Sequence, residues 1–166
     1  MDADILEELY RKYYDSAIIY CLRLCGNLDF AQDLVSDAFV KAYLSLPNDV
    51  PSFRYWLLRV CRNLWIDNLR KRRWEVSTDL LESVCTGYNP EINYLRDEQQ
   101  RFMWKCITDL PQIDRELLTL YYFSGLNLQE IAAILGKTHD STRQRMVRLR
   151  KILKLKMGEY GYDREL

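Results

Sequence analysis

The stretch NLQEIAAILGKTHDSTRQRMVRLRKIL, residues 127–153, contains the signals that decide the fold of this chain. Asn127 with Glu130 makes a capping box that opens one helix, Gly136 supplies a turn, and Thr138 caps a longer helix. This order predicts a helix-turn-helix, in which the second helix enters the major groove of DNA.

The second helix of this motif has an apolar face and a basic face. The apolar face, which should pack on the preceding helices, consists of Thr142, Met146, Leu149 and Leu153. The side chains that point away from it, or lie on its flanks, are Arg143, Gln144, Arg145, Arg148 and Lys151. Arg and Lys neutralise phosphates or bond guanine, and Gln suits adenine, so this face predicts DNA contact. The alternative is a solvated basic helix in an ordinary bundle.

Positive charge is concentrated in two segments, although the chain as a whole has a net charge of zero. Residues 51–74 hold seven Lys/Arg and one acid, and residues 136–157 hold eight and one. Residues 1–50 have the opposite charge balance, with four bases and nine acids. Two separated basic surfaces indicate two contacts along one polyanion, such as nucleic acid.

The first basic segment lies on a predicted helix from Ser52, as its cap, to Arg73. Its buried stripe is predicted as Phe53, Leu57, Val60, Cys61 and Leu64. Its opposite face carries Tyr55, Arg59, Arg62, Asn63, Ile66, Arg70 and Arg73. Flat or apolar side chains stack on bases and Asn offers a donor and an acceptor, so this face suits unpaired bases. The alternative is a helix with a few exposed apolar residues.

The helix before it is predicted to begin with a capping box of Asp29 with Gln32 and to end near Leu46. It contains more apolar residues than one buried face requires. Its core stripe is predicted as Ala31, Leu34, Val35, Ala38, Phe39 and Ala42. Val40 and Leu44 fall outside that stripe, beside Asp33 and Asp37. These four residues form an exposed acidic and apolar patch that could dock a protein partner, or else Val40 and Leu44 face a neighbouring helix.

The remaining periodicity predicts an all-α fold of two small helical domains, residues 1–73 and 91–160, joined by a flexible linker at 74–90. A helix at 5–25 ends at Gly26, another runs from Pro90 to Thr108, and Pro111 starts one that ends near Gly125. No apolar run is long enough to span a bilayer, and the basic start of a secretory signal is missing. The expected location is the cytoplasm.

Enzyme chemistry is not expected from this sequence. It has no phosphate-cradling glycine loop, nucleophile motif or convincing acid/base pair. Five cysteines at irregular spacing favour buried packing over a zinc or disulfide framework. We therefore expect no catalytic residue, metal, cofactor or small-molecule substrate.

Four sequence motifs, taken in their order along the chain, resemble those of a known protein family. DLVSDAFVKAY at 33–43, FRYWLLRVCRNLWIDNLRKRR at 53–73, LPQIDRELLTLYYFSGLNLQEIAAILG at 110–136 and STRQRMVRLRKIL at 141–153 closely resemble bacterial sigma factors. The group they resemble most is the small extracytoplasmic-function (ECF) sigma factors. The resemblance covers roughly residues 5–73 and 91–157, in the family's order and spacing.

The resemblance implies a subunit that binds core RNA polymerase and directs it to promoter DNA. It assigns polymerase binding to Asp33, Leu34, Val35, Asp37, Phe39 and Val40. It assigns the minus-ten element to Tyr55, Arg59, Arg62, Asn63, Ile66, Asp67 and Arg70, with Asn63 at a position that helps hold a flipped-out base. It assigns the minus-35 element to Arg143, Gln144, Arg145, Arg148 and Lys151. It also implies control by an anti-sigma factor, often membrane-anchored.

The sequence departs from the family pattern at Lys137 and Thr142, where apolar residues are usual. A buried hydroxyl needs a hydrogen-bond partner, so Thr142 predicts a less stable second domain. Two other kinds of protein are weighed against the sigma factor. A one-component regulator would bind a palindrome as a dimer without polymerase, and a helical adaptor would bind only protein.

Overall fold

The computed structural model describes residues 1–75 and 98–159, and within these ranges the chain is helical with no strand. The helices are α1 (Ala3–Cys25), α2 (Leu28–Ser45), α3 (Phe53–Glu75), α4 (Glu98–Thr108), α5 (Gln112–Tyr122), α6 (Leu128–Leu135) and α7 (His139–Glu159). They form two compact units, one made of α1 to α3 and the other of α4 to α7. The all-α, two-domain prediction is confirmed.

The predicted linker at 74–90 lies almost entirely outside the described residues. Its first two positions are helical, because α3 continues to Glu75. The predicted helix from Pro90 is described only from Glu98 onward.

The first unit contains α1, α2 and α3, each packed on the other two. Residues 17–25 of α1 are all buried, so this half of the helix is enclosed on every side. The helical spacing of apolar residues in this segment indicates only one apolar face. Because an enclosed helix buries polar as well as apolar positions, helical periodicity understates its burial.

The junction of α1 and α2 is a two-residue turn. Gly26 adopts a left-handed conformation with φ 66°, and its N–H donates to the Leu22 carbonyl at 2.8 Å. Asn27 then accepts a hydrogen bond from the Phe30 N–H at 2.8 Å. The cap of α2 is therefore Asn27, and the prediction of an Asp29 capping box is wrong. Asp29 lies in the first turn, where its charge favours the positive end of the helix dipole.

The buried face of α3 holds Phe53, Leu57, Leu58 and Cys61, whereas Val60 and Leu64 are half-buried. Ser52 precedes this helix with φ 59°, a left-handed conformation that costs a non-glycine residue about 1 kcal/mol. Its carbonyl oxygen accepts a hydrogen bond from the Trp56 N–H at 3.1 Å. Ser52 thus joins the first turn of α3 through its backbone.

The second unit contains α4 to α7. The capping box that opens α6 is confirmed: Asn127 Oδ1 accepts from the Glu130 N–H at 2.9 Å, and Glu130 Oε2 accepts from the Asn127 N–H at 3.0 Å. Gly136 makes the turn with φ 65°. Thr138 then caps α7, because its Oγ1 accepts from the Ser141 N–H at 3.2 Å. The structure therefore contains the predicted helix-turn-helix, with the predicted caps and turn.

The predicted apolar face of α7 is confirmed, and Met157 extends it by one more turn. The buried residues of this face are Thr142, Met146, Leu149, Leu153 and Met157. The Thr142 hydroxyl donates to the Thr138 carbonyl at 2.9 Å, so its burial leaves no unmet donor. Lys137 is exposed in the turn. Neither departure from the family pattern leaves an unpaired polar group in the core.

The capping box yields a stability prediction for the second unit. Asn127→Ala should lower its stability by about 1 kcal/mol, because the Glu130 N–H loses its acceptor. Hydrogen exchange followed by mass spectrometry on the full chain should show amides of α6 and α7 exchanging about fivefold faster. Gln129→Ala, an exposed change in the same turn, is the control and should leave exchange unaltered. Equal exchange in both variants would contradict a stabilising role for the cap.

Candidate nucleic-acid and polymerase interfaces

The outer face of α7 exposes four of its five predicted DNA-contacting side chains. These are Arg143, Gln144, Arg148 and Lys151. Arg143, Gln144 and Arg148 line one open depression together with Val147. Since α7 is the second helix of a helix-turn-helix, this face is the one that such motifs turn toward the major groove.

Arg145 differs from the other predicted DNA contacts. Its Nε donates to Asp114 Oδ1 in an ion pair between α7 and the first turn of α5. The Asp114 side chain is only 12% exposed and that of Arg145 is 36% exposed, so water screens the pair incompletely. Arg145 was predicted to bind DNA, but the structure gives its guanidinium a partner inside the protein. This contact holds α7 against α5, and the assignment of Arg145 to DNA binding stays a prediction.

Two further cations of α7 bind within the second unit. Arg150 Nη2 donates to the Tyr121 hydroxyl at 2.9 Å, and its guanidinium lies 5.4 Å from the centre of that ring. Lys156 Nζ donates to the Cys106 carbonyl at 3.3 Å. The cations of α7 therefore divide into a group that joins the helix to α4 and α5 and a group that faces outward.

The predicted nucleic-acid face of α3 is a continuous strip along that helix. Its exposed members are Arg59, Asn63, Asp67 and Arg70, and its half-exposed members are Tyr55, Arg62 and Ile66. Their spacing of three or four residues places them on one side, away from the buried face that contains Leu57 and Cys61. The structure therefore brings all seven predicted residues together on an accessible surface.

Two contacts orient side chains within this strip. Arg59 Nη1 donates to the Tyr55 hydroxyl at 3.2 Å, one helical turn away. Arg70 lies 3.7 Å from an Asp67 carboxylate oxygen, and both side chains are well exposed. An exposed pair of this kind contributes little to stability, roughly 0–1 kcal/mol, so breaking it to bind a polyanion costs little.

The polymerase-binding residues predicted on α2 divide into two groups. Asp33, Asp37 and Val40 are exposed and can meet a partner. Leu34, Val35 and Phe39 are buried in the free chain, and their assignment to polymerase binding stays a prediction. Their side chains form the core stripe that holds α2 in place.

The exposed side of α2 carries an apolar ridge of Val40, Tyr43 and Leu44. Leu44 is 75% exposed, the highest exposure among the large apolar side chains in the described residues. Phe39 supports the helix beneath this ridge: its ring centre lies 4.9 Å from that of Tyr10 on α1 and 6.0 Å from that of Phe53 on α3. The ridge is thus an exposed apolar surface on a rigid support, flanked by two carboxylates.

The cysteines whose surroundings are described are Cys21, Cys25, Cys61 and Cys106, and all four are buried free thiols. Burial raises the pKa of the Cys21 thiol well above its usual value, and a hydrogen bond with Cys61 raises it further. A protonated thiol is a poor nucleophile and a poor metal ligand, so the Cys21 thiol is suited to packing. Among the described residues, no cluster of three or more His, Cys, Asp or Glu side chains could hold a metal ion. No described helix has the length and apolar character needed to cross a membrane.

Three residues that form or support these surfaces were not predicted from the sequence. Tyr43 lies three positions after Val40 and Val147 three positions after Gln144, so helical spacing could have found both. Asp114 gave no such signal, because its partner Arg145 is 31 positions away in the chain.

Each of the two units matches a known protein family. Residues 9–75 match the family described as Sigma-70 region 2, and residues 103–153 match Sigma-70, region 4. The ECF RNA polymerase sigma factor EcfG of Rhodopseudomonas palustris is 30% identical over 138 residues, which span 81% of this chain and 75% of that protein. The ECF RNA polymerase sigma factor SigM of Bacillus subtilis is 29% identical over 152 residues, 90% of this chain and 93% of that protein.

A solved structure shares the fold. The sigma factor RpoE of Bartonella quintana, in complex with the anti-sigma factor NepR, aligns with a TM-score of 0.68 at 24% identity, covering 95% of this chain and 98% of that one. Both matched regions occur here in one chain, and each contains one of the basic faces described above. The chain therefore belongs to the ECF group of RNA polymerase sigma factors.

Proposed function

We propose that this chain binds core RNA polymerase through α2 and directs it to promoters, reading the minus-ten element with α3 and the minus-35 element with α7. The observation that carries the proposal is the presence of two outward basic faces on separate compact units, within the two matched sigma regions. Acting as a transcription initiation factor beside the polymerase, the chain would work in the cytoplasm and perform no catalysis itself.

The proposed minus-35 contact uses Arg143, Gln144, Arg148 and Lys151. Arg and Lys suit phosphates and guanine, and the Gln144 amide can bond adenine through one donor and one acceptor. Arg145 acts indirectly, because its ion pair with Asp114 positions α7 against α5. Any DNA contact by the other N–H groups of the Arg145 guanidinium is secondary to holding α7 against α5.

The proposed minus-ten contact uses the α3 strip, with Asn63 at its centre. An exposed amide can bond an unpaired base edge, while Tyr55 and Ile66 offer flat or apolar surface for stacking. Arg59, Arg62 and Arg70 supply charge for the backbone. A strip with both kinds of side chain favours an opened strand over an intact duplex, for which cations alone would serve.

The proposed polymerase contact is the apolar ridge with Asp33 and Asp37. Apolar side chains supply the burial, and two carboxylates favour a partner surface that carries cations. The same surface is the natural target of an anti-sigma factor, because covering it would keep the chain off the polymerase. The sigma factor RpoE of Bartonella quintana was solved in complex with the anti-sigma factor NepR, which supports an anti-sigma partner for this chain.

The direct test is transcription with purified components. Core RNA polymerase supplemented with this chain should initiate at one class of promoters in a library of genomic fragments, and core enzyme alone should not. The chain lacking residues 98–159 is the control and should lose minus-35-dependent initiation. A transcript profile that the full chain leaves unchanged would reject the proposal.

A second prediction addresses the ridge. Leu44→Ser should weaken binding to core polymerase by about tenfold, because the variant loses apolar surface that the contact buries. Leu44 is largely exposed in the free chain, so the thermal midpoint should not change. Fluorescence anisotropy with labelled chain measures the affinity. Lys41→Ser, at a nearby exposed position on α2, is the control; an equal loss in both variants would mean that the ridge is not the contact.

A third prediction separates the two classes of cations on α7. Arg148→Ala should lower the salt dependence of minus-35 binding by about one unit of log–log slope and leave stability unchanged, because its side chain is exposed. Arg145→Ala should cost about 1–3 kcal/mol of stability, because it leaves the Asp114 carboxylate without its partner. Gel shifts at several salt concentrations and urea denaturation give the two quantities. If Arg145→Ala changed only the salt slope, its ion pair would have no structural importance.

A further inference from the structure

Val147 is an apolar side chain in the middle of the polar DNA-facing surface of α7. It is 51% exposed and lines the same depression as Arg143, Gln144 and Arg148. Its neighbours on the buried side, Met146 and Leu149, are almost fully covered. The exposed part of Val147 can therefore contact a molecule that binds the outer face of α7.

The chemistry of the major groove limits what an exposed valine can recognise there. Phosphates and most base-edge atoms are charged or hydrogen-bonding, and an isopropyl group offers them no donor or acceptor. The apolar feature of the groove is the C5-methyl group of thymine. Valine is branched at Cβ and populates few χ1 rotamers in a helix, so its methyl groups occupy defined positions.

The spacing along α7 links Val147 to Gln144. Three residues of helix advance about 4.5 Å, close to the roughly 3.4 Å between stacked base pairs. Gln144 and Val147 can therefore meet the same base pair or adjacent ones. An adenine that suits Gln144 pairs with a thymine, which places a methyl group within this short span.

From these observations we infer that Val147 is a specificity-determining residue that contacts the C5-methyl group of one thymine in the minus-35 element. The inference rests on the proposed function and extends it from phosphate and hydrogen-bond contacts to an apolar one. Leu155 provides the contrast: it is 72% exposed but lies eight residues further along α7, about 12 Å beyond Val147.

The test removes single methyl groups from the DNA. The full chain with core polymerase first selects a minus-35 duplex from a randomised pool, and each thymine of that duplex is then replaced in turn by deoxyuridine. With the unaltered chain, one replacement should weaken binding about fourfold, the effect of exposing roughly one methyl-sized group. With Val147→Ala, the same replacement should have no effect, because the two changes remove the same contact.

Leu155→Ala is the matched control and should keep the fourfold difference between thymine and uracil. Val147→Ala should fold normally, because the site is exposed and alanine favours helix more than valine. The inference is overturned if the selected duplex contains no thymine, if no uracil replacement matters, or if the sensitive position responds equally in Val147→Ala. Failure to select any duplex would reject the proposed function itself, and the inference with it.

Discussion

Burial of one face of α3 and one face of α7 is the constraint on which both proposed DNA-binding surfaces depend. In each helix, apolar side chains at helical spacing pack into the core of their own unit, and the opposite side can only point outward. On α3, burial of Leu57, Leu58 and Cys61 leaves the strip around Asn63 accessible. On α7, burial of Met146, Leu149 and Leu153 does the same for Gln144 and Arg148. The core of each unit thus determines which side chains can meet DNA.

The cations of α7 illustrate how the same residue type takes two roles in one helix. Arg145 and Arg150 bond to α5 side chains and so hold α7 against α5. Arg143 and Arg148 stay exposed, at the edge of the depression that includes Val147. A recognition helix must be held rigidly to present a few side chains at base-pair spacing, and the inward arginines meet that need.

The α2 helix combines support and contact in a similar way. Leu34, Val35 and Phe39 hold it in the core, and the ring of Phe39 lies between aromatic rings of α1 and α3. Because the side of α2 with Leu34, Val35 and Phe39 is packed in the core, Val40 and Leu44 lie on the exposed side and form part of the apolar ridge. The sigma-family motif on α2 therefore contains both buried and exposed residues.

The helices, the helix-turn-helix, the basic faces and the family could all be predicted from the residues alone, because each depends on residues within one or two helical turns or on the order of local motifs. Capping at Asn127 and the buried face of α7 are examples. The enclosure of residues 17–25 and the ion pair of Arg145 with Asp114 were settled by tertiary packing. These depend on which segments lie side by side after packing, and helical spacing carries no information about a partner on another helix.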